Sequence, residues 1–251
     1  TIYNRIHEVR TRFEVLWRDA EIAYLKALQS SPEKQPELEA ELGKCQAQLR
    51  SDFSFIAACN VGGEFMDEAS LKRLEALSNI TWQRHFDDKI GLSPVEELRV
   101  HSSDEQLPVT EKLLSDKPEH LITHDKPIEY DERLGIKVSI PEYKYNLGEL
   151  YNLQIQRGTL TNEDRFKINE HIISTIRMLD NVPFPEELAR VPRYASTHHE
   201  TLKGTGYPRK LSADDLSIPE RVLVLADIFE ALTAADRPYK KAKPLSVAID
   251  I

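Results

Sequence analysis

The chain has 251 residues, 40% apolar and 30% charged, with a formal net charge of -9. No apolar run nears the roughly 18 residues that span a bilayer and no leader-like pattern opens the sequence, so a soluble, cytoplasmic protein is expected. The acidic balance argues against gripping DNA along a basic face, because counterion release needs clustered Lys and Arg; a local pocket for a small anion remains open.

Ile2, Ile6, Val9, Phe13, Leu16 and Trp17 recur three or four apart and predict an amphipathic helix over 1–29, ended near Ser31-Pro32. Leu38, Leu42, Cys45, Leu49, Phe53 and Ile56 predict a second helix of similar length, stopped by Asn60-Val61-Gly62-Gly63. Two such helices with a short connection should pair antiparallel. A third is expected from Met66 to about Trp82. Cys45 and Cys59 lack zinc-type spacing and read as buried free thiols.

Between about 86 and 145 the pattern breaks at Pro94, Pro108, Pro118, Pro127 and Pro141. Ile136-Lys137-Val138-Ser139-Ile140 alternates like a short strand. His124-Asp125 falls here in THDKP, where the lysine and proline that follow favour a turn over a metal pair.

From Asn146 the chain reads as all-α. Thr161 precedes Asn162-Glu163-Asp164 as an N-cap with a carboxylate nearby, and Phe166, Ile172, Ile173, Ile176 and Leu179 supply the apolar face of a helix closed by Pro183 and Pro185. Another helix is expected from Val191 to about Glu200, and one from Pro219 to Ala235.

Chemistry gathers on these last helices. His171 sits mid-helix, His198 and His199 near the end of the next, and Asp227 inside VLVLADIFEAL. An ionised carboxylate buried among apolar neighbours needs a cation, and imidazoles with a carboxylate suit iron, manganese or zinc. Adjacent histidines on one helix point about 100° apart, which favours more than one ion. In HHETLKGTGYP (198–208), Gly204 and Gly206 permit close backbone approach and Pro208 stiffens the exit, holding Tyr207 for stacking and hydrogen bonding. Arg237-Pro238-Tyr239-Lys240 sets a guanidinium fork and an ammonium beside a second aromatic, suited to a phosphate and a base.

RGTLTNEDRFKINEHI (157–172), HHETLKGTGYP (198–208) and IPERVLVLADIFEALTAADRPYKKAKPLSVAI (218–249) together resemble the HD-GYP family of phosphohydrolases. The resemblance implies an HD-domain-like helical bundle over 146–251, preceded by a long antiparallel helical insertion with a Pro-rich irregular part over 1–145. It implies two or three divalent ions, iron or manganese, and hydrolysis of a cyclic dinucleotide such as cyclic di-GMP in bacterial signalling. By position, His171, His198, His199 and Asp227 would bind metal, and Gly206, Tyr207, Arg237 and Lys240 the dinucleotide.

Two departures qualify it. Lys203 stands where the family has an acidic residue, and no His-Asp-x-Gly-Lys occurs in the chain. The HD pair is therefore expected before Thr1, leaving this chain short of ligands. The alternative is a degenerate module that docks onto a partner such as a cyclase domain or dimerises through its long helices.

Overall fold

A computed structural model describes residues 3–100, 106–235 and 242–250. Its first elements are two long helices, α1 (Tyr3–Ser30) and α2 (Gln35–Val61), joined through a single 3-10 turn at Pro32–Lys34. They pack along their length, with the rings of Phe13 and Phe53 meeting edge to face at 5.5 Å. Gly62, at φ +77°, closes α2 by donating its amide to Ala58 O, as the Gly-Gly signal predicts.

The third helix is shorter than expected. Asp67 caps α3 (Glu68–Ser78) by accepting from Ser70 N at 2.7 Å, but Trp82 lies on a strand, β1 (Thr81–Arg84). After the single turn α4 (Pro94–Glu97), β1 finds its partner in β2 (Val109–Lys112), antiparallel with Trp82 opposite Glu111. That ladder outweighs the local helical spacing.

A second small pair joins β3 (Leu121–Ile122) to β4 (Tyr145–Asn146). Residues 136–140, predicted as a strand, have no ladder; the Lys137 amide is spent instead on Pro208 O at 2.7 Å. The remaining elements are helical: α5 (Glu149–Leu153), α6 (Asn162–Asp180), α7 (Val191–Ala195), α8 (Ile218–Thr233) and α9 (Leu245–Ile249). With two small hairpin-like sheets among the described residues, the helical fold class holds. No described helix is long and apolar enough to cross a membrane.

The chain forms two compact units, each discontinuous: 1–124 with 142–163, and 125–141 with 164–251. The first is built on Val9, Phe13, Ile56, Leu74, Leu77, Leu113, Leu114 and Leu153. Beside this core the buried Glu149 carboxylate accepts from the Arg12 guanidinium at 2.8 Å and from Ser115 N at 3.0 Å, which satisfies its charge. Leu113→Ala would leave a void where the side chain is fully buried, so the first unit should lose about 2–5 kcal/mol. A lowered urea midpoint would show this, and an unchanged one would contradict the assigned core. Both cysteines are free, as expected, but Cys45 is exposed rather than buried.

In the second unit α6 buries Ile172, Ile173 and Ile176. Helix α8 is oriented against its composition. Glu220 is 3% exposed while Ile218 and Leu225 are 76% and 67% exposed, so a carboxylate is buried where apolar side chains are not. Arg193 on α7 explains this: its guanidinium meets Glu220 at 2.7 Å, and Ser217 completes a capping box on the same carboxylate. Burial alone would raise the Glu220 carboxyl, but the Ser217 and Arg193 contacts outweigh it and hold it below the ordinary carboxylate range.

Candidate metal and substrate site

Helix α6 presents His171 with Nδ1 against Ile168 O at 2.6 Å, which makes Nδ1 the protonated nitrogen and leaves the Nε2 lone pair available. His198 is arranged alike, Nδ1 meeting Ala195 O at 2.9 Å. It lies in the turn after α7, not within a helix as predicted. The helix ends because the Ser196 and Thr197 hydroxyls bond back to Arg193 O and Tyr194 O, competing with the backbone ladder.

That early end changes the geometry of the histidine pair. On a turn the 100° divergence does not apply, and the His198 and His199 rings converge, centroids 4.1 Å apart. His199 Nε2 lies 3.1 Å from His171 Nε2. One ligand nitrogen from each of the three histidines falls within 4.8 Å of the others. Neighbouring ligands on an ion with bonds of about 2.1 Å stand roughly 3.0–3.4 Å apart, a spacing the His171 and His199 pair already has, so the three imidazoles could hold a divalent ion. Adjacent histidines therefore no longer require two.

Asp227 approaches from α8, its Oδ2 3.4 Å from His199 Nδ1. It is 41% exposed, contrary to the burial expected of it, and so are the apolar residues around it in sequence, with Leu225 at 67% and Ile228 at 48%. The His199 imidazolium is disfavoured by burial first, then by His198 and His171, against the opposing pull of Asp227, and its pKa is pushed down to about 4. His199 is thus neutral near pH 7, and its approach to Asp227 is not a pairing of full charges. A neutral His199 has no proton to displace before it takes a cation.

Over this cluster Tyr207 stacks on His199, ring centroids 4.8 Å apart and 24° from parallel. Burial, and then Asp227, raise its phenol pKa, so the hydroxyl remains a donor. The Tyr207 amide bonds His199 O at 3.2 Å, tying the aromatic directly to the histidine turn. Gly206 makes that approach possible: a Cβ there would lie 2.5 Å from both Glu200 Cα and His199 O. Gly204, at φ +69°, supplies the left-handed step before it.

Sequence reasoning left Glu200 and Arg209 without a role. Glu200 is 1% exposed and accepts from Arg209 N and Leu211 N at 2.7 and 2.8 Å. Arg209 donates Nε to Leu134 O and Nη1 to Ser196 Oγ. Their signal was an acidic residue beside the histidines and a basic one after the proline, but the partner Leu134 lies too far away for any local pattern. His124-Asp125 sits in a non-helical stretch after β3 and enters no described group of metal donors. Lys203 is exposed and bridges to Ser212. Arg237 and Lys240 lie outside the described residues.

Residues 108–251 match the HD domain family. The chain is 38% identical over 94 residues to a protein named 3'3'-cGAMP-specific phosphodiesterase 3 of Vibrio cholerae, covering 38% of this chain and 20% of that one. It is 43% identical over 129 residues to 3'3'-cGAMP-specific phosphodiesterase 1 of the same organism, covering 48% and 29%. With a cyclic di-GMP phosphodiesterase of Thermotoga maritima it shares 32% over 114 residues, 45% and 27% of the two chains. The chain thus spans less than a third of the length of these relatives. No solved structure matches it.

Proposed function

This chain belongs to the HD domain family, and on that footing we propose that it is part of a metal-dependent phosphodiesterase that opens a cyclic dinucleotide, cyclic di-GMP or a related one. The observation that carries the reading is the gathering of three imidazoles into one group, with an aromatic ring stacked against His199. The names of the relatives supply the substrate class.

His171, His198 and His199 would hold the ion, with Asp227 completing or orienting the set, and imidazoles with a carboxylate suit iron or manganese. Such an ion, when bound, polarises a phosphoryl oxygen and lowers the pKa of water. The chain's own groups bind and orient. Tyr207 offers a face for a base and a protonated hydroxyl for a phosphate oxygen, and Arg237 and Lys240 would neutralise the second phosphate. A count of two or three ions calls for donors beyond these four.

One observation favours the degenerate reading, in which the domain docks onto a cyclase-like partner or a second copy. Within the matched residues, the stretch leading into 157–172 reads Tyr145-Asn146-Leu147-Gly148-Glu149. It keeps the glycine of His-Asp-x-Gly-Lys but sets asparagine for the aspartate and glutamate for the lysine. Asn146 Oδ1 accepts from Gly148 N, and Glu149 is engaged by Arg12, so both are committed to local structure.

Elemental analysis of the 251-residue chain, purified without oxygen or chelators, and incubation with cyclic di-GMP separate the two. Bound metal with release of a linear dinucleotide is expected. Bound metal without product would favour the docking module, and absence of metal would overturn the metal reading altogether.

A further inference from the structure

The turn bearing Tyr207 is held from behind. Both oxygens of the buried Glu200 carboxylate are taken up by the amides of Arg209 and Leu211, which brace the chain just after Tyr207. The Arg209 side chain spans two further anchors, Leu134 O at 2.9 Å and Ser196 Oγ at 2.8 Å. Pro208 O accepts from Lys137 N. Leu134 and Lys137 belong to a strap, residues 125–141, that is itself seated on α6, where Arg177 bonds Glu129 O and lies over the Tyr130 ring at 5.6 Å. The strap thus links the helix that carries His171 to the turn that carries Tyr207.

A tyrosine ring has few torsions of its own, so the backbone of 206–208 decides where it stands. A recognition group displaced by about 1 Å loses much of its effect. Resting on the function proposed above, we infer that Glu200 and Arg209, backed by Leu134 and Lys137 of the strap, are positioning residues that fix where Tyr207 meets a base of the dinucleotide. They set substrate affinity and take no part in holding metal, since none of their contacts among the described residues involves an imidazole nitrogen or Asp227.

The test compares wild type with Arg209→Ala and Arg209→Lys in three readouts: metal content, cyclic di-GMP affinity by calorimetry, and amide exchange at Tyr207 and Leu211. Arg209→Ala should keep its metal, exchange these amides faster and bind cyclic di-GMP roughly tenfold or more weakly, KM rising with kcat little changed. Lysine cannot reach Leu134 O and Ser196 Oγ at once, so Arg209→Lys should fall between and serves if the alanine variant does not fold. Unchanged affinity or unchanged exchange in a folded variant overturns the inference, as does an affinity loss matched by metal loss. Wild type that binds no cyclic di-GMP overturns the proposed function instead, and the exchange comparison then still decides whether Arg209 holds the turn.

Discussion

His199→Ala is expected to leave a folded protein that retains no metal through dialysis and hydrolyses no cyclic dinucleotide. His199 sits at the centre of the cluster: Nε2 faces His171, Nδ1 faces Asp227, and its ring supports Tyr207. One substitution removes a ligand, frees the carboxylate and takes away the stacking surface. Metal affinity should fall by more than the roughly 10–100-fold that accompanies loss of an outer-shell partner. Elemental analysis beside a thermal melt checks it. Full metal content in the variant would place the ion elsewhere.

Gly206→Ala should have the second largest effect, by sterics alone. The added methyl would press on Glu200 Cα, His199 O and Thr201 N, all backbone atoms that cannot swing aside. Forcing extra volume into such a site costs about 1–3 kcal/mol or more, and each kcal/mol lowers the melting temperature by about 2–4 °C in a chain of this size. The turn would lose the bond from Tyr207 N to His199 O, and dinucleotide binding with it. Gly43→Ala is the control: it lies inside α2 with nothing within 4 Å of its added Cβ, and should stabilise by about 0.5–1 kcal/mol. A Gly206→Ala protein that melts with wild type and binds the dinucleotide would show that the turn tolerates the methyl.

The sequence disclosed what short windows can carry. The bounds of α1 and α2 follow from apolar spacing, and Pro219 behind Ser217 marks the start of α8. Facing directions were less legible. VLVLADIFEAL suggests a helix with a buried aspartate, yet it is Glu220, paired with Arg193, that α8 buries, while Asp227 and its apolar neighbours stay at least partly exposed. Trp82 was misassigned because its strand partner Glu111 lies outside any local window. At the site, the letters His171, His198, His199, Asp227 and Tyr207 could be named from the chain. That the two adjacent histidines share one focus could not, because it depends on the side chains of Ser196 and Thr197 stopping α7 early.

The strap also has a place in time. Leu134 and Arg209 are 75 residues apart, so at about 5–20 residues per second the ribosome releases the strap roughly 4–15 s before the arginine that clasps it. During synthesis the histidine-bearing stretch of α6 emerges first and the aromatic turn cannot be clasped until well afterwards. Any nascent chain halted after Leu134 has emerged and before Arg209 has would expose an unclasped strap, a sequence-encoded window of 75 residues in which cellular quality control could act.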